Sequence, residues 1–190
     1  MMLSNQSIPP PRPVHSLKGW HAVSAMAVAT IAVLLGSSVA LAAPASTHFD
    51  FHAPNVSGGS GSLTFNGAGN FNPISGVLDA HGHFKCTSTV GSGPLVGCMS
   101  NQGGHWESAL ALRSTPFKCT ATDPAGVKTA TIADDTAVLQ AHFFRAGDGS
   151  TPSFTANVIV SQHDIAPDIA GLQNVWVQGV GCETAKVHLH

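Results

Sequence analysis

The chain has 190 residues, of which 43% are hydrophobic and only 9% are charged. Eight basic residues against ten acidic residues give a formal net charge of −2. A surface that binds nucleic acid needs clustered Lys and Arg, so this sparse and mildly acidic composition excludes nucleic acid as a partner.

The first 42 residues predict a signal peptide. Arg12 and Lys18 form a basic region, and the apolar segment 25–35 follows it. The sequence Ala40-Leu41-Ala42 then has the small-x-small pattern that signal peptidase recognises. We therefore expect cleavage after Ala42, a single domain over residues 43–190, and a secreted protein or one in the periplasm or cell envelope.

An uncleaved membrane anchor is the alternative for this segment. Residues 20–43 contain no Asp, Glu, Lys or Arg and are just long enough to span a bilayer. The small-x-small end and the helix-breaking Pro44 favour cleavage instead. After cleavage, six basic and ten acidic residues would remain, a net charge near −4.

Four cysteines follow the predicted signal peptide: Cys86, Cys98, Cys119 and Cys182. An even number of cysteines in an exported chain predicts two disulfides. There is no Cys-x-x-Cys pair, which argues against structural zinc and against a thioredoxin-type redox centre. Three pairings are open, and the Gly/Ser-rich loop between the first two cysteines favours the pairs Cys86–Cys98 and Cys119–Cys182.

From residue 47 onward, alternating apolar and polar residues are separated by Gly, Pro and Asn, as is typical of strands and turns. The segments 62–71 and 77–86 predict a hairpin around the turn at 72–76. Later segments predict further strands; these are 105–113, 127–132, 136–145, 153–161 and 174–182. A short helix is the alternative only for residues 134–146, which contain no Gly or Pro and carry several Ala.

About nine short strands predict an all-β domain, either an antiparallel β-sandwich or a partly closed barrel. Trp106 and Trp176 lie in strands with apolar partners, so we expect both in the core. A carbohydrate-binding face built on exposed aromatic rings is correspondingly disfavoured.

The segment 79–87, DAHGHFKCT, places three polar residues on one face of a predicted strand: Asp79, His81 and His83. Imidazoles with a carboxylate suit Zn²⁺ or Cu²⁺. His105 and Glu107 form a similar pair on a later strand and could complete a metal site if the two strands are neighbours. The alternative is an ordinary solvated strand face, because Lys85 shares it. The closing His188 and His190 are expected to fray with the C-terminus.

No catalytic motif is present in the sequence: there is no Gly-x-Ser-x-Gly elbow, phosphate-binding loop or calcium loop. We therefore expect a secreted, non-catalytic binding or structural module at or outside the cell envelope, with an unknown protein or small ligand as partner. No cofactor is expected unless the metal site exists. One alternative is a Zn or Cu protein, or a metal-dependent enzyme, that uses the face of His81 and His83. A second is a hydrolase with a Ser/His/Asp site that no motif marks.

Overall fold

The computed structural model describes residues 46–123 and 125–190, which form eleven β-strands joined by turns and loops. The strands are β1 (Thr47–Gly58), β2 (Ser62–Phe71), β3 (Leu78–Ser88), β4 (Gly103–Ala111), β5 (Ser114–Phe117), β6 (Lys128–Thr131), β7 (Thr136–Arg145), β8 (Phe154–Ser161), β9 (Val175–Val177), β10 (Gly181–Glu183) and β11 (Lys186–Leu189). The predicted all-β class is confirmed. The helix considered for 134–146 is wrong, because β7 lies there. The predicted signal peptide lies outside the described residues.

The strands form one closed antiparallel barrel in the order β1-β2-β3-β4-β7-β8-β9-β10, with β10 pairing back onto β1. The sequence predicted either a two-sheet sandwich or a partly closed barrel. The strands form a barrel, and the pairing of β10 with β1 closes it. The closure depends on β1, which is interrupted by a bulge between Ala53 and Val56. Its first half pairs with β11 and its last two residues pair with β10. A bulge bends a strand, so β1 can contact both partners.

Aromatic side chains fill the interior of the barrel. Phe65 contacts the rings of Phe51, Trp106 and Phe143 at centroid distances of 5.0, 5.1 and 5.8 Å. The indole of Trp106 lies over β2 and β3, where its Nε1 donates to the carbonyl of Asn66 at 2.8 Å. Trp106 is fully buried and Trp176 is 3% exposed, which confirms the predicted core role of both tryptophans.

A second apolar cluster lies outside the barrel wall, beneath the hairpin β5–β6. Phe117 of this hairpin packs edge-on against Trp176 of β9 at 5.8 Å, and Trp176 donates to the carbonyl of Lys118. Val138 and Ile159 complete the cluster from β7 and β8. The strand β7 is therefore apolar on both faces, one toward the barrel interior and the other toward the hairpin.

Two disulfides close the structure, Cys86–Cys98 and Cys119–Cys182, as the loop composition predicted. The first closes the loop after β3, which places Val90 and Leu95 in the barrel core. The second fastens Cys119, two residues after the end of β5, to Cys182 of β10 in the outer cluster. Disulfides persist in oxidising compartments, so they indicate an extracellular or similar environment. Within the part of the chain described, no helix has the length and hydropathy to cross a membrane.

An ion cluster joins the β5–β6 turn to the loop before β9. Lys128 bonds the carboxylate of Asp123, whose side chain is fully buried, and lies 3.0 Å from a carboxylate oxygen of Asp168. The hydrogen bond from Lys128 lowers the pKa of Asp123. Burial by itself lowers the pKa of Lys128, but the hydrogen bonds that Lys128 donates to both carboxylates outweigh it and raise that pKa.

The stability that this cluster provides should depend on pH. Asp123 has a folded-state pKa below its ordinary value of 3.8, so its contribution is present above that value and is lost as the pH falls through the folded-state pKa. We expect Lys128→Met to destabilise the protein most at neutral pH, because it leaves a buried carboxylate without its cation. The difference from the wild type should shrink below pH 3.8.

Urea unfolding of both proteins over this pH range measures the difference. The exposed Lys85→Met is the matched control and should behave as the wild type. Equal destabilisation by Lys128→Met at every pH would contradict this account, because it would show that the ionisation of Asp123 does not set the effect.

Candidate functional site

Eight histidines lie on one continuous outer surface of the barrel wall, across the adjacent strands β11, β1, β2, β3, β4 and β7. Side chains alternate between the faces of a strand, and the apolar neighbours of these histidines point into the barrel. We call this surface the histidine face. Its histidines are His48, His52, His81, His83, His105, His142, His188 and His190, all of them exposed or half-buried.

The strand register aligns much of this polar surface in one row. The row runs through His188, Asp50, Ala68, His81, Glu107 and His142. Five charged residues lie among the histidines: Asp50, Asp79, Lys85, Glu107 and Lys186. Among the described residues only His163 lies elsewhere. The side chains of this face are therefore dominated by imidazoles.

The structure places four of the five residues predicted as metal ligands in opposite pairs on adjacent strands. β3 and β4 are neighbours, with His81 opposite Glu107 and His83 opposite His105. Asp79 lies beyond the last pair of β3 and β4 and is opposite Asn70 of β2. Metal binding by these residues stays a prediction.

His105 also has a packing role on this face. Its ring stacks on that of Phe144 at 4.7 Å with an interplanar angle of 4°, and the ring of His142 meets Phe144 edge-on at 6.4 Å. The two imidazoles cover an outward-facing phenylalanine that is only 8% exposed. Nε2 of His105 lies 3.7 Å from a carboxylate oxygen of Glu107, and about half of each side chain is exposed.

Another group of potential metal ligands lies at the β1 end of the histidine face. The donor atoms of His48, Asp50 and His190 all lie within 4.8 Å of one another, and this is the one such group of three found among residues 46–123 and 125–190. Sequence reasoning missed it because His190 was expected to fray. Instead β11 pairs with β1, and the main chains of His48 and His190 exchange two hydrogen bonds of 2.8 and 2.9 Å. The alternation in HFDFH and KVHLH was a usable signal, but the pairing of these two segments was not visible.

Ser, His and Asp come close together at one other place. Nε2 of His163 is 3.0 Å from Asp135, and Ser161 is near both. The hydroxyl of Ser161 accepts from the main-chain N–H of His163 and bonds the hydroxyl of Thr136. These contacts hold the hydroxyl of Ser161 at the end of β8. They do not place it against the imidazole of His163, as a catalytic nucleophile would require.

Comparison with protein-family models, with curated proteins and with solved structures finds no match for this chain.

Proposed function

We propose that the protein is a secreted, non-catalytic binding module whose histidine face binds a negatively charged ligand outside the cytoplasm. The observation that carries the proposal is the contrast between a barrel interior packed with aromatic rings and an outer wall that bears eight histidines. A filled barrel leaves recognition to its surface. The predicted signal peptide and the two disulfides agree with a role outside the cell.

The chemistry of the histidine face suggests the charge of the ligand. Imidazoles as a class gain positive charge between pH 8 and pH 5, and here they greatly outnumber the three carboxylates of Asp50, Asp79 and Glu107. Lys85 and Lys186 add two permanent positive charges. Complementary charge between such a surface and its ligand favours an anionic partner.

The test is binding of the untagged protein to a carboxylated polysaccharide, alginate, in neutral and in mildly acidic buffer. We expect binding that strengthens on acidification. A variant with His81, His83, His105 and His142 replaced by Gln removes the central imidazoles while keeping polar side chains, and should bind at least about tenfold more weakly at the acidic pH.

His163→Gln is the matched control, because His163 is exposed but lies off the histidine face. It should bind as the wild type does. Equal binding by the fourfold variant and the wild type, or no acid-dependent binding by either, would contradict the proposal. The fourfold variant leaves every residue of β1 and β11 unchanged, so its result is independent of the group formed by His48, Asp50 and His190.

A further inference from the structure

The edge strand β11 is held to β1 by few main-chain contacts. It pairs over four residues, from Phe49 opposite Leu189 to His52 opposite Lys186, and the main chains of His48 and His190 add two hydrogen bonds. The carbonyl of Leu189 also accepts a bond from the side chain of Gln162 at 3.1 Å. The outward side chains of this short ladder are nevertheless all polar or charged, and those of His48, Asp50 and His190 form the group of potential metal ligands described above.

The strand geometry brings these three ligands together. His48 and His190 are directly opposite one another, with ring centroids 5.2 Å apart, and Asp50 is two residues along β1 on the same face. Two ligand atoms on a tetrahedral Zn²⁺ are about 3.3 Å apart, given Zn–N and Zn–O distances near 2.0–2.1 Å. The donor atoms here lie within 4.8 Å of one another, so small side-chain rotations would complete the geometry.

Neighbouring side chains already orient two of the ligands. Nδ1 of His48 lies 3.3 Å from the side-chain oxygen of Asn70; when it donates to this oxygen, the lone pair of Nε2 is left for a metal. Nδ1 of His188 lies 3.1 Å from one oxygen of Asp50, which holds the carboxylate on the side of β11. Such hydrogen bonds from outside the ligand set are typical of protein metal sites.

We propose that His48, Asp50 and His190 bind one divalent transition-metal ion, Zn²⁺ or Cu²⁺, and that the ion fastens β11 to β1. Two imidazoles and a carboxylate are the ligand set that these ions accept. Three protein ligands on a partly exposed surface leave a fourth position open to water or to a small ligand. The site is distinct from the predicted one at His81 and His83, and it does not depend on the anionic-ligand proposal.

The experiment measures Zn²⁺ and Cu²⁺ binding to the untagged protein by calorimetry, with thermal unfolding of the same samples. We expect one ion per chain and a higher melting temperature with the ion. His48→Ala and Asp50→Asn should each lose most of the affinity, and Asn70→Ala should lose about 10- to 100-fold, as removal of an orienting partner does elsewhere.

Two variants serve as matched controls. His52→Ala removes an exposed histidine from the same face of β1, and the double variant His81→Ala/His83→Ala removes the other candidate pair; both should retain the affinity of the wild type. Nitrogen hyperfine structure in the electron paramagnetic resonance spectrum of the Cu²⁺ form should show two imidazoles and lose one in His48→Ala. Absence of binding, or binding abolished by the double variant and kept in His48→Ala, would overturn the proposal.

Discussion

Replacing Trp106 with alanine should lower the free energy of unfolding by about 3–5 kcal/mol, the range for deleting a large aromatic side chain from a core. The indole is fully buried. Its ring centroid lies 6.1 Å from that of Phe51 and 5.1 Å from that of Phe65. Its removal leaves a cavity among rings that cannot readily collapse, and it also removes the hydrogen bond from the indole to the carbonyl of Asn66.

The indole has space because two residues that face it, Gly67 of β2 and Gly82 of β3, have no side chain. A Cβ on Gly67 would lie 2.3 Å from the Trp106 ring, and one on Gly82 would lie 2.6 Å from the indole nitrogen and 2.0 Å from the carbonyl oxygen of Asn66. Gly82→Ala should therefore also destabilise the barrel by overpacking. Chemical denaturation measures each effect.

Leu110→Ala is the control on the same strand, because that leucine is 55% exposed. It should change the free energy of unfolding by no more than about 0.5 kcal/mol. If Trp106→Ala were as mild as this control, the tight ring packing described for the interior would be wrong.

Removing the two disulfides should destabilise the protein unequally. Cys119–Cys182 closes 63 residues and Cys86–Cys98 closes 12. In the chain-entropy model these loops correspond to about 4.3 and about 2.8 kcal/mol. The double replacement Cys119→Ala/Cys182→Ala should thus be the more damaging, and it also loosens the hairpin β5–β6 from the outer cluster.

The comparison is between the two double-alanine variants, each unfolded by urea in the presence and absence of reductant. In the variant that lacks Cys119–Cys182, reductant can open only the remaining disulfide Cys86–Cys98. It should therefore lower the free energy of unfolding only by the contribution of the shorter loop. Greater destabilisation from removing Cys86–Cys98 would contradict the entropic ranking and would show that the loop carrying Val90 and Leu95 is the more important closure.

The local structure of this protein could be predicted from its sequence, because strand alternation is a local property. In β3 the residues Ala80, Gly82, Phe84 and Cys86 are buried and the residues between them are exposed, as their polarity predicted. The strand β7 is apolar on both faces because the hairpin β5–β6 covers its outer face.

The long-range structure could not be predicted in this way. A sandwich and a barrel have the same alternation, and only the pairing of Ser57 and Gly58 with β10 distinguishes them. The candidate site shows the same limit. His81 and His83 were visible because only one residue separates them in sequence, whereas His48 and His190 come together only because β1 and β11 pair.

The two partners of β1 also have a kinetic consequence. The strand β1 lies at residues 47–58, but the strands that complete its hydrogen bonding, β10 and β11, lie far along the chain at residues 181–189. Contacts between residues so distant in sequence form only after a long loop has closed, which costs conformational entropy. Folds dominated by such contacts reach the native state in milliseconds to seconds. Closure onto β1 should therefore be the slow step of folding, and until it occurs the open edge of β1 is available for pairing with another chain.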